Sequence, residues 1–162
     1  MAGDPAQEAE DLGVLAPDGV IVIAGERITV RRFRFLEGMQ LEQECQSLLG
    51  DLAKALNVET GPGGDEDPVM AKEAAAAAFD GADYGAVMAV FARHQTELLR
   101  LQEVSTGKSA DWIAALDDEN GFDLLMTFWG VNHPFFVRRV MMYIIQARLS
   151  GKTSAPPASP PS

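Results

Sequence analysis

FDLLMTFWGVNHPFFVRRVMMYIIQARL, residues 122–149, gathers four of the eight Phe, one of the two Trp and three of the seven Met. Two helices fit its spacing. Phe122 to Val131 forms the first, Asn132 and His133 break it, and Pro134 suits the opening position of the second, which runs to about Leu149. In that second helix only Arg138, Arg139, Gln146 and Arg148 are polar, so it is apolar nearly all round and needs cover on several sides. Each large apolar side chain left in water forfeits about 1.5–3 kcal/mol of burial. The cover is either the chain's own helices or another protein, and adaptable methionines favour the second. A membrane is excluded on cost. Leu124 to Ile145 is long enough to span one, but Arg138 and Arg139 would each cost about 2.5–3.5 kcal/mol at mid-bilayer.

Upstream of this stretch the pattern stays helical back to residue 36. Ser109 is placed to cap a short helix carrying Trp112, Ile113 and Leu116. Before it, AVMAVFARHQTELLRLQEV puts Val87, Val90, Phe91, Leu98, Leu101 and Val104 on one side of a long helix, with Gly107 as its stop. VMAKEAAAAAFD, residues 69–80, is alanine-rich and helix-favouring. Leu41, Cys45, Leu48, Leu49, Leu52 and Leu56 form one stripe on a helix from Leu36 to about Asn57. Cys45 reads there as buried filler rather than a reactive thiol.

The period changes to two only near the start. GVIVIAGERITVRRFRF carries β-rich runs at Val20–Ile23 and Ile28–Phe33, with Gly25 in the turn between them. Ile28 and Val30 share one face of the second run, and Thr29, Arg31 and Phe33 the other. Two strands alone are marginal in water, so this hairpin leans on helices or pairs with another copy through Ile21, Ile23, Ile28 and Val30.

The expected fold is therefore mainly α with a small N-terminal β-hairpin, a bundle of four to five helices. Residues 1–18 form a flexible acidic lead-in, 19–149 one α-rich domain with a loop at 57–68, and 150–162 a disordered Pro/Ser-rich tail.

Charge is unevenly placed. The net charge is −11 overall: residues 1–131 carry 24 acidic and 9 basic side chains, while residues 132–162 carry 4 basic and none acidic. An acidic body repels phosphate backbones, which disfavours nucleic acid as a partner. One cysteine allows no internal disulfide and suits a reducing compartment.

Catalytic and metal motifs fail one by one. His94 and His133 lie in separate segments without a Cys or His at ligand spacing, and His94 reads as a solvated or partner-facing residue. LDDENGFDLL puts Leu116 where a calcium loop needs an oxygen ligand, so Asp117, Asp118, Glu119 and Asn120 read as cap and turn residues. The glycines of TGPGGDEDP are followed by acids rather than Lys and Ser/Thr, and Ser150–Thr153 lacks the upstream glycine of a phosphate loop. Arg31, Arg32 and Arg34 read as neutralising the chain's own carboxylates. The expected protein is not an enzyme and holds no metal or cofactor.

The ordering of elements, with the pieces STGKSADWIAAL and WGVNHPFFVRRV, resembles the tail assembly chaperones of long-tailed bacteriophages and prophages in their short form. The similarity covers roughly residues 20–149 and contains no catalytic signature. It implies a protein of the host cytoplasm, not retained in the mature virion. Such a protein binds the tape-measure protein, keeps it soluble and helps recruit tail-tube subunits. The residues expected to meet the client or another copy are Phe128, Trp129, Phe135, Phe136, Met141, Met142 and Ile145. The competing reading is an acidic inhibitor that mimics DNA to block a host nuclease or regulator, which requires carboxylates in ordered rows.

Overall fold

The computed structural model describes residues 18–56, 73, 77 and 79–153. The expected acidic lead-in up to residue 17, the 57–68 loop and the tail from residue 154 lie outside these. So does most of the alanine-rich segment, of which Glu73, Ala77, Phe79 and Asp80 are helical. The protein is mainly α-helical with an N-terminal two-stranded antiparallel hairpin.

Strands β1 (Gly19–Ile23) and β2 (Glu26–Val30) are joined by Ala24 and Gly25. Both turn residues have positive φ, 51° and 78°, which matches the right-handed strand twist in a two-residue hairpin. Pairing sets Ile21 opposite Ile28 and Gly19 opposite Val30. The face bearing Ile23, Ile28 and Val30 is buried, as the alternation predicts, while Val20 and Val22 point outward.

The helices are α1 (Phe35–Glu44), α2 (Gln46–Ala55), α3 (Tyr84–Arg93), α4 (Gln95–Thr106), α5 (Ala110–Ala114) and α6 (Asp118–Thr153). At the start of α1 the Glu37 carboxylate reaches back to accept the Arg34 backbone N–H at 3.0 Å, satisfying an orphan donor of the first turn. Gly107, in the left-handed region at φ 72°, ends α4 and donates its N–H to Glu103. Ser109 caps α5 by accepting the Trp112 N–H at 3.1 Å, and Asp117 accepts the Asn120 N–H at 2.9 Å ahead of α6. These three assignments agree with the sequence reading.

Three helix boundaries do not. The expected helix over 36–57 is interrupted at Cys45 (φ −112°, ψ 27°), and the long helix over 86–104 at His94 (φ −114°, ψ 41°). Neither residue is a Gly or Pro, so nothing local marks the breaks. Conversely, Asn132 and His133 break nothing. Helix α6 runs unbroken from Asp118 to Thr153 with Pro134 inside it, four residues past the expected end at Leu149. Proline has no N–H to give the Gly130 carbonyl and its ring crowds that turn. The helix nevertheless continues, because packed side chains on both sides of Pro134 hold it.

The contacts divide the chain into two units, Met1–Cys45 with His94–Phe135, and Gln46–Arg93 with Phe136–Ser162. In the first, buried Ile23, Ile28, Val30, Leu41, Cys45, Leu101, Ile113, Leu124, Phe128, Val131 and Phe135 form the core. The hairpin lies so close to α6 that a Cβ on Gly19 would stand 2.8 Å from Thr127 Cγ2 and 2.9 Å from Val131 Cγ2. In the second unit the core is Leu48, Leu49, Leu52, Leu56, Phe79, Val90, Phe91, Phe136, Val137, Val140 and Ile144. Helices α2 and α3 pack together there.

Candidate interaction surface

A polar knot fixes the centre of the first unit. Asn132, fully buried, accepts the Phe33 N–H at 3.1 Å and donates to the Arg31 carbonyl at 3.2 Å and to Ser105 Oγ at 3.1 Å. Ser105 donates its hydroxyl to the same Arg31 carbonyl at 2.7 Å, and its own carbonyl accepts the Arg31 N–H at 3.0 Å. The segment leaving β2 is thereby tied to α4 and α6. The Phe33 ring then meets Phe135 edge-on at 5.0 Å and Phe128 at 6.1 Å. Asn132 is a structural residue, a role that helix-breaking propensity conceals.

Several charged side chains are matched within the chain. Arg31 forks onto Glu37 with two bonds of 2.8 Å, which together with the Arg34 N–H pulls the Glu37 carboxyl down to about 2. Arg100 holds Glu44 at 2.9 Å and lowers its pKa as well. Lys108 pairs with Glu26 and lies 5.0 Å over the Trp112 ring. His94 is mostly buried, with Nδ1 3.2 Å from Glu97, which corrects its reading as a solvated or partner-facing residue. The Cys45 thiol is buried against the Glu97 carbonyl, and burial with nearby Glu97 and Glu44 pushes its pKa up to about 12. It is inert filler. Among the described residues no group of His, Cys, Asp and Glu is arranged to hold a metal ion, and no helix is long and apolar enough to cross a membrane.

What remains exposed and chemically distinctive is apolar. Of the residues expected to contact a partner, Phe128, Phe135 and Phe136 are buried, so they serve the core. Trp129, Met141 and Ile145 are half-buried and Met142 is exposed. Trp129 stacks edge-on with His133 at 5.6 Å. The structure adds residues that the sequence reading passed over. Phe35, Leu36 and Met39 share the outer face of α1, and the first two are 76% and 75% exposed. Phe122 and Met126 stand exposed one helical turn apart on α6. A signal for the α1 group exists: Phe35, Met39 and Gln43 are spaced by four and fall off the phase of the Leu41–Cys45–Leu48 stripe.

The model of a family described as a family of unknown function (DUF6631) matches residues 11–73 and 67–162 of the chain. No curated protein and no solved structure matches.

Proposed function

The chain belongs to the DUF6631 family, and we propose that it acts as a tail assembly chaperone, binding a long helical tape-measure protein by its apolar stripes. In this reading it carries no reaction, works in the host cytoplasm, helps recruit tail-tube subunits and leaves before the virion is complete. The observation that carries the reading is the trio Phe35, Leu36 and Met39. Large apolar side chains stand out in water on a strongly acidic chain. An apolar helix face laid against them regains burial that each side chain forfeits alone, while the net negative charge keeps the pair dispersed. A DNA mimic would need its carboxylates free in rows. Glu26, Glu37, Glu44 and Asp51 instead face the chain's own Lys108, Arg31, Arg100 and Lys54.

The test is co-expression with a tape-measure protein, the long helical client that this reading requires. The client is expected to move from the insoluble to the soluble fraction. Phe35→Asp combined with Leu36→Asp should abolish that shift while leaving the thermal melt of the chaperone alone unchanged. A client equally insoluble with and without the protein would sink the proposal.

A further inference from the structure

Helix α6 carries two partly exposed, largely apolar stripes of opposite charge surroundings. On its first half Phe122, Met126, Trp129 and His133 follow one another at steps of four, three and four. Phe122 and Met126 are exposed, and Asp118, Glu119 and Asp123 are exposed around them. On its second half Arg138, Met142, Ile145 and Leu149 repeat the same steps, with Arg138, Met142 and Leu149 exposed. From Asn132 onward the sequence contains cations and no acid. Both stripes belong to the helix Asp118–Thr153.

We infer that the acidic stripe of one copy binds the cationic stripe of a second copy, so that the protein assembles head to tail through α6. In antiparallel register Phe122 meets Leu149, Met126 meets Ile145 and Trp129 meets Met142. Each pair joins an acid-flanked apolar residue to one on a cationic segment. The two contact patches differ, so the interface is heterologous, and in a pair one copy keeps its cationic patch and the other its acidic patch until a ring closes or a filament grows. The inference does not depend on client binding, which rests on α1.

Sedimentation of the full chain tests it. At low salt the protein should form species larger than a dimer, and these should dissociate as salt screens the charges. One variant, Asp123→Lys with Met126→Lys, removes the acidic patch. Another, Arg138→Glu with Met142→Glu, removes the cationic patch. Each alone should be monomeric, associating at least tenfold more weakly than the parent. An equimolar mixture should form a dimer and stop there, because only one good interface remains. Circular dichroism establishes that the variants fold; if either does not, the milder Met126→Ser and Met142→Ser take their places with the same expected pattern. A parent that stays monomeric at low salt, single variants that still assemble fully, or a mixture that forms no dimer would each overturn the inference.

Discussion

The two halves of α6 are built on different principles. Up to Phe135 the helix buries Leu124, Phe128, Val131 and Phe135 at helical spacing, and a fully buried Asn132 ties it to two other segments. From Phe136 onward the buried set is Phe136, Val137, Val140 and Ile144; among the described residues of this half no polar residue is buried as a whole, and of half-exposed Arg139 the Nε is shielded from solvent. The second set does not continue the first, since steps of three and four from Phe135 lead to half-exposed or exposed Arg138, Arg139 and Met142. Apolar fit dominates the second half, where the Tyr143 hydroxyl donates to the Gln46 carbonyl at 3.1 Å near the surface, whereas buried hydrogen bonds with a single geometry add register to the first. Burying polar groups costs little only when each one is satisfied.

The largest effect that probes this contrast is removal of an aromatic anchor from either half. Phe128→Ala and Phe136→Ala should each cost about 3–5 kcal/mol in denaturant unfolding. Hydrogen exchange should then show the greatest loss of protection in the half that carries the substitution. Equal loss in both halves would erase the distinction. Next comes the polar knot. Asn132→Ala removes a buried amide and leaves the Phe33 N–H without its acceptor, and should cost about 2–3 kcal/mol. Tyr143→Phe, which removes the 3.1 Å bond to the Gln46 carbonyl in the second half, should cost about 0.5 kcal/mol. Similar costs would mean that hydrogen bonding does not separate the two.

An effect of similarly small size is electrostatic and belongs to the first unit. The Glu37 pKa is lowered from its ordinary value to about 2. Its contribution is therefore present above the unfolded carboxyl pKa, near 4.5, and is lost as pH falls toward 2. The Arg31–Glu37 pair is partly exposed, so screening holds the contribution to about 1 kcal/mol or less. Glu37→Gln should flatten that portion of the acid-unfolding curve and leave stability between pH 6 and 8 lower by the same small amount.

Legibility in the sequence followed the same divide. Period and propensity located the hairpin, the buried Leu41–Leu56 stripe, the Ser109 cap and the Gly107 stop, because each is decided within a few residues. The interruptions at Cys45 and His94 were not legible, since both residues are compatible with helix and only tertiary contacts choose otherwise. Asn132–His133–Pro134 misled for the opposite reason. Local preference favours a break there, but bonds from Asn132 to Arg31, Phe33 and Ser105 reward continuity. The contact residues divided similarly. An aromatic run announces burial or binding without saying which, and Phe128, Phe135 and Phe136 went to the core while Trp129 and Met142 kept exposure. Phe35 and Leu36 escaped notice because a short apolar pair at a helix start resembles ordinary core.

The stitch between Arg31 and Asn132 joins positions 101 residues apart. During synthesis at about 5–20 residues per second, several seconds to some twenty seconds separate the emergence of the hairpin from that of the residue that fastens it. Through that interval the nascent strands carry an uncovered apolar face, which makes the ribosome-bound chain itself a client for whatever holdase is nearby.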